Sequence, residues 1–218
     1  MRGLGDRTVT EWDQILQEEW YSREEPEEIV AEFFELLKNK SRNLRVLDLG
    51  CGAGRHVVFM AKREFEAYGI NFSKTGLNLT KSRLQQENLK GHIAKCDMKN
   101  LPFTDSCFDS LICLHTIYHQ KFEEIKRTVS EIKRVLKKSG LVLINFLSKQ
   151  THSYGMGKEV EKNTFAREDG VEKGILHHFT DEEEIRRLFK DFKIVNLELK
   201  ERKIDGALRS RWILIAEA

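Results

Sequence analysis

Apolar positions in the first forty residues fall at helical spacing. The stretches 10–20 and 26–38 both read as helices, the second carrying Ile29, Val30, Phe33, Phe34, Leu36 and Leu37 as a stripe. Pro26 suits a first helical position, and Glu27 and Glu28 suit the positive end of the helix dipole. From residue 44 the period changes. Leu44-Arg45-Val46-Leu47-Asp48-Leu49 is a short, mostly apolar run, as expected of a buried strand, and it leads straight into glycines. The pattern then predicts a helix to about 62, a strand at 67–71, and a helix from a Ser73 cap towards 87. Strands follow at 92–96, 108–114 and 141–147, with a helix at 122–137 closed by Gly140. The stretch 148–178 shows no clear period and holds four glycines, which predicts a long excursion. Thr180-Asp181-Glu182-Glu183 has a capping-box pattern and opens a further helix. Two strands, at 192–200 and 211–217, close the pattern as neighbours.

Alternating strands and helices predict an α/β fold, a mostly parallel sheet with helices on both faces. Right-handed crossovers put the C-terminal ends of the parallel strands on one rim, where such sheets bind ligands. The 218 residues, 25.5 kDa in all, suffice for one sizeable core and a small appendage, with no linker or repeat to divide them. A formal net charge of +2 gives no general attraction to nucleic acid or membrane. No apolar run approaches the roughly 18 residues a membrane span needs, and the start lacks the apolar core of a secretory signal. Cys51, Cys96, Cys107 and Cys113 form no CxxC pair, which fits reduced thiols in the cytoplasm.

The first chemical motif is Asp48-Leu49-Gly50-Cys51-Gly52-Ala53-Gly54, between a strand and a helix. Glycines there let the backbone turn sharply and approach a ligand, and the helix start offers N–H groups to an anionic group. A plain glycine-rich turn has the same composition. The spacing does separate ligand classes: a dinucleotide loop requires G-x-G-x-x-G, and Arg55 holds the place of its third glycine.

Val46-Leu47-Asp48-Leu49-Gly50-Cys51-Gly52-Ala53-Gly54-Arg55-His56 resembles motif I of the class I S-adenosylmethionine-dependent methyltransferases, and the resemblance runs from Leu44 to Lys138. It implies a Rossmann-like, doubly wound sheet of seven strands, mostly parallel with an antiparallel last strand. S-adenosyl-L-methionine is the implied cofactor. Gly50, Gly52 and Gly54 would pass under its methionine portion, and Asp48 would orient its ammonium group. Tyr68-Gly69-Ile70-Asn71-Phe72-Ser73 resembles the end of the second strand, usually G-x-D-x-S. Asn71 stands where the family carries the ribose-binding carboxylate; its amide can still pair with hydroxyls, without the charge assistance. Phe72 beside it joins the implied cofactor set. Cys96-Asp97-Met98 before Leu101-Pro102-Phe103 resembles the adenine-binding segment, with Asp97 accepting from the amino group and Met98 donating its backbone N–H. His115 would lie next to the cofactor through its backbone, and Tyr21, or Trp20, would cover it from the N-terminal helices.

Tyr118 and His119, just beyond the fourth strand, are the candidate catalytic residues: either could take a proton from a hydroxyl, amine or thiol, and either could serve packing alone. Transfer from a sulfonium can also proceed by proximity with no base. His115, His119, His177 and His178 supply imidazoles, but no carboxylate or thiolate pattern joins them, so no metal site is expected. The expected organisation is one domain over 1–218: an N-terminal helical cap (1–43), a cofactor-binding core (44–147), a lid-like excursion (148–178) and a C-terminal helix with a strand pair (179–218). The short chain favours a small-molecule methyl acceptor. An RNA or protein substrate would need a continuous basic or grooved surface. A non-catalytic cofactor-binding protein is the third reading, raised by Asn71. Acidic residues interleave with Lys133, Arg134, Lys137 and Lys138, so no nucleic-acid stripe stands out, and the oligomeric state is left open.

Overall fold

The computed structural model describes residues 9–18, 23–38 and 43–218. In chain order these form α1 (Val9–Ile15), α2 (Glu28–Lys38), β1 (Arg45–Leu49), α3 (Arg55–Lys62), β2 (Glu66–Asn71), α4 (Lys74–Gln86), β3 (His92–Lys95) and β4 (Phe108–Cys113). A 3-10 turn at Ile117–His119 follows, then α5 (Phe122–Val135), β5 (Leu136–Ser148), β6 (Lys158–Glu161), β7 (Thr164–Ala166) and β8 (Leu176–Thr180). The chain continues through α6 (Glu182–Leu188), β9 (Lys193–Ile204) and β10 (Ala207–Glu217).

Strands β3-β2-β1-β4-β5 run parallel, and β10 lies antiparallel between β5 and β9. These seven strands are the Rossmann-like sheet with the antiparallel end that the sequence predicts. Period-two alternation sends neighbouring side chains of one strand to opposite cores. Leu47 and Leu49 of β1 join Leu111 and Cys113 of β4 under α5 and α6, with Ile125, Ile132 and Phe189. Val46 and Ile112 point the other way, into Phe33 and Phe34 of α2 and Val57 and Met60 of α3. The helices on both faces are therefore held by one strand pattern.

Three predicted details are corrected. Pro26 is not the first helical residue: the N–H groups of Val30 and Ala31 donate to the Glu27 carbonyl, which makes Glu27 the cap of α2. Gly140 does not end α5. The helix stops at Val135, the chain turns at Ser139 with φ +64°, and Gly140 sits inside β5 where a Cβ would stand 3.1 Å from the Asp109 carbonyl oxygen. Asp181, not Thr180, caps α6, accepting from Glu184 N–H at 2.9 Å.

The stretch 148–178 is more ordered than its pattern predicts, because its strands are too short to show a period. β6, β7 and β8 form an antiparallel set. β5 outruns β4, whose pairing with it ends at Cys113 opposite Ile144. Its last two residues pair with Phe179 and Thr180 of β8 while Leu147 still faces Arg211 of β10. β8 thus takes the edge that β4 vacates and stands over the rim of the parallel strands.

Candidate active site

A cleft of about 990 Å³ opens on that rim. Asp48, Gly50 to Ala53, Asn71, Phe72, Asp97 and Met98 line one half; Tyr118, His119, Gln120, Arg167, Glu172 and Arg211 line the other. Trp12 and Leu16 of the N-terminal segment close over it. That segment is pinned by Asp13, whose Oδ1 accepts from Ser73 Oγ at 2.5 Å and from Thr75 N–H at 2.9 Å, across the start of α4.

The glycine loop takes its shape from its neighbours. Gly50, Gly52 and Gly54 all have positive φ, at +84°, +54° and +85°. A Cβ on Gly50 would strike Thr116 Cγ2 at 2.3 Å and one on Gly54 would strike Thr80 Cγ2 at 2.6 Å. A Cβ on Gly52 would meet Leu16 Cδ2 at 3.6 Å, an ordinary contact, so the middle glycine is uncrowded and its free side lines the cleft.

Asp48 ends β1 as a buried carboxylate, 2% exposed. Its Oδ2 has no hydrogen-bond partner among the described residues, and His56 Nδ1 lies 3.8 Å away. Burial pushes its pKa up to about 7, against the opposing pull of Arg55. Burial likewise holds His56 neutral, down to about 3. The N–H-rich helix start behind this carboxylate carries Arg55, whose guanidinium reaches Glu27 Oε1 at 2.5 Å.

The other predicted cofactor residues lie around the same half. Asn71 Nδ2 donates to the Gly52 carbonyl at 3.4 Å, and its Oδ1 accepts from Ser73 N–H at 3.3 Å, so the amide ties the loop to the end of β2. Asp97 Oδ1 accepts from Lys99 N–H at 3.0 Å, and Lys99 Nζ bridges it to Glu124. Phe72 is 41% exposed on the cleft wall, an unusual position for a phenylalanine. Met98 packs against the core below α5 and reaches the cleft. Tyr21 and Trp20 lie outside the described residues; Trp12 is the aromatic ring that the N-terminal segment brings to the cleft.

At the end of β4, His115 adopts φ +56°. Its N–H donates to Asn145 Oδ1 at 2.8 Å, its Nε2 lies 2.5 Å from Glu27 Oε1, and its Nδ1 lies 3.3 Å from the Tyr118 hydroxyl. Burial lowers the His115 pKa, with Glu27 pulling the other way. Burial pushes Tyr118 up to about 12, which keeps its phenol protonated at neutral pH. His119 packs edge-on to Trp12 with centroids 4.9 Å apart, and its Nδ1 donates to the Leu176 carbonyl at 2.9 Å. His177 comes beside it, at 4.8 Å between ring centroids. His178 does not: it is buried between Thr164 Oγ1 and Glu184 Oε1, both at 2.7 Å, and is a core residue.

Sequence reasoning missed Glu27, Thr80, Gly76 and Glu172. Glu27 lay in an acidic run that reads as a solvated helix start, and only its capping position turns its side chain inward. Glu172 lies in the patternless excursion, and no local signal marks it.

Residues 46–140 match the profile of a methyltransferase domain. Over 101 residues the chain is 30% identical to YcgJ, an uncharacterised methyltransferase of Bacillus subtilis, covering 46% of this chain and 39% of that protein. It is 25% identical over 191 residues to a ubiquinone biosynthesis O-methyltransferase of Rickettsia typhi, covering 86% of this chain and 74% of the relative. Among solved structures, a S-adenosylmethionine-dependent methyltransferase of Methanosarcina mazei superposes with a TM-score of 0.74 at 20% identity, over 88% of this chain and 98% of that one. Magnesium protoporphyrin IX methyltransferase of Synechocystis PCC 6803, solved with bound S-adenosylhomocysteine, gives a TM-score of 0.65 at 16% identity, over 95% and 84%. Fold and site therefore define a Rossmann-like methyltransferase domain. The matched core, 46–140, is similar to the class I S-adenosylmethionine-dependent methyltransferases, enzymes whose cofactor is S-adenosylmethionine, and the chain spans less than half the length of YcgJ.

The residues present fit that cofactor. It carries an ammonium group, and Asp48 offers a buried carboxylate oxygen that no described residue satisfies. Its chain needs close backbone approach, and the open side of Gly52 allows it.

Proposed function

We propose that this protein transfers the methyl group of S-adenosylmethionine to a small-molecule acceptor held in the second half of the cleft. The carrying observation is the cleft itself. Its volume of about 990 Å³ lies at the top of the roughly 300–1,000 Å³ range of small-molecule sites, room for a cofactor and a compact acceptor together. The bound cofactor supplies an activated methyl on a sulfonium, so the chain's work is to bind, orient and exclude water.

In this reading Asp48 holds the ammonium group, and the backbone of Gly50 to Gly54 passes beneath the methionine portion. Asn71 meets the ribose hydroxyls, Asp97 and the Met98 N–H meet adenine, and Phe72 lies against its face. His115 shapes the floor below the methyl. Tyr118 acts as a hydrogen-bond donor to the acceptor, since its phenol stays protonated at neutral pH. His119 presents Nε2 to the acceptor group, because a carbonyl can only accept and Nδ1 must therefore be its protonated nitrogen. The excursion at 148–178 serves as the acceptor-side lid, and the cysteines, all free thiols, suit a cytoplasmic protein. No helix among the described residues is long and apolar enough to cross a membrane.

Calorimetric titration with S-adenosylmethionine and its demethylated product tests the shared claim. Saturable binding is expected, strongly weakened in Asp97→Ala; no binding at high micromolar concentration overturns the reading. Binding without transfer across hydroxyl, amine and thiol acceptors favours a non-catalytic cofactor-binding protein instead.

A further inference from the structure

Three side chains in the acceptor half converge. His119 from the 3-10 turn, Glu172 from the turn before β8, and His177 from β8 each bring one ligating atom within 4.8 Å of the others. His177 Nε2 is 3.0 Å from Glu172 Oε2. The two imidazoles cross at 81°. His119 and Glu172 line the cleft, and His177 is buried behind them.

Both rings are already in one tautomer. His119 Nδ1 meets the Leu176 carbonyl at 2.9 Å, and His177 Nδ1 meets the Ile175 carbonyl at 3.2 Å. Each Nδ1 must donate, so in the neutral rings both lone pairs reside on Nε2. Metal-bound histidines are characteristically oriented this way, with the remote N–H on a carbonyl. Here two consecutive residues, Ile175 and Leu176, orient both rings. A His177–Glu172 ion pair satisfies those two side chains but does not require the second imidazole, which Trp12 and the Leu176 carbonyl hold beside them.

We propose that His119, Glu172 and His177 form a site for a divalent ion of the zinc class, with an open coordination position facing the acceptor half of the cleft. Two imidazoles and one carboxylate suit such an ion and leave a position for water or substrate, whereas magnesium and calcium require oxygen-rich shells. Bonds of roughly 2.0–2.2 Å in a tetrahedron hold ligand atoms about 3.3–3.6 Å apart. His177 and Glu172 stand near that spacing at 3.0 Å, and the His119 atom lies within 4.8 Å of both, so a bound ion would draw the three slightly together. An acceptor hydroxyl or thiol bound at the open position loses its proton to cleft water and stays on the ion as alkoxide or thiolate. That role rests on the methyltransferase reading and makes His119 a ligand rather than a base. The ion's binding does not depend on it.

The test titrates chelator-treated full-length protein with Co²⁺, followed by visible absorption and competed with Zn²⁺. One equivalent is expected, with the ligand-field bands of a nitrogen–oxygen site. His119→Gln, Glu172→Gln and His177→Gln should each weaken it at least tenfold with unchanged circular dichroism, while His92→Gln, outside the cluster, should not. No saturable Co²⁺ binding, or binding indifferent to all three cluster variants, overturns the site. S-adenosylmethionine titration of the same samples separates the two readings. Cofactor binding without Co²⁺ binding sinks only the metal site. Co²⁺ binding without cofactor binding supports the site and sinks the methyltransferase reading.

Discussion

Glu27 and His115, 88 residues apart, meet with Glu27 Oε1 2.5 Å from His115 Nε2. The same oxygen takes the Arg55 guanidinium, so one carboxylate joins the N-terminal segment, the start of α3 and the end of β4. Burial alone would raise the Glu27 pKa, but the His115 hydrogen bond and the charges of His115 and Arg55 hold it at about 2. A carboxylate depressed below its unfolded value of 4.5 contributes stability that is present above that pH and lost as pH falls towards 2. Glu27→Gln should therefore lower unfolding free energy by about 1–3 kcal/mol at pH 7, after discounting for its partial exposure. The gap to the parent should close as pH falls from 4.5 towards 2. Urea unfolding across that range checks this, and a gap independent of pH would refute the clasp.

Asp48 has the opposite sign. Raised to about 7, it favours the protonated form in the folded protein, so its contribution to stability is lost as pH rises from about 4 to 7. A cofactor ammonium beside it favours the ionised form. Binding should thus release a proton below pH 7, and affinity should rise with pH until about 7 and then level. Calorimetry at pH 6 in buffers of different ionisation enthalpy measures that proton directly. In Asp48→Asn the proton release should vanish, and affinity should fall by a factor on the order of ten or more.

The succession of strands and helices and the glycine loop were legible in the sequence because both arise from local chemistry. The β1 pattern needs only its own residues, and glycine is the residue that admits the positive φ found at 50, 52 and 54. The acceptor half was legible only at Tyr118 and His119. Glu172 reaches His177 through a turn that no periodicity announces, and β8 gains its place on the main sheet because β5 outruns β4. Glu27 shows the same limit at shorter range: a Pro-Glu-Glu sequence fits a helix start in two registers, and the register decides whether the carboxylate meets water or the cleft.

Gly76, inside α4, sets helix propensity against packing. Alanine is ordinarily favoured over glycine within a helix by about 1 kcal/mol. Here a Cβ would lie 2.6 Å from Asn71 Nδ2, 2.7 Å from the Gly52 carbonyl oxygen and 2.9 Å from Leu16 Cδ1. Two of these atoms belong to the link between the glycine loop and β2. Gly76→Ala should therefore destabilise the protein by about 1–3 kcal/mol, against its propensity, and weaken cofactor binding at the same time. Thermal unfolding and calorimetry on the one variant decide it; a raised midpoint with unchanged affinity would show that α4 stands clear of the loop.

Phe72 faces both the protein and the cleft. At 41% exposure a large part of its ring stays open, and Lys95 Nζ lies over it, 5.8 Å from the ring centre. An adenine laid on that ring would gain stacking of about 1–3 kcal/mol, by analogy with base–aromatic contacts elsewhere. Phe72→Ala should cost the free protein about 1–3 kcal/mol of stability, in line with the partial burial of the ring. It should weaken S-adenosylmethionine binding about five- to a hundredfold, and Phe72→Tyr should retain it. Methionine binds no such wall, so adenosine alone should report the same loss in competition. A Phe72→Ala protein with parental affinity for adenosine would place the base elsewhere in the cleft, and the Asp97 assignment would fall with it.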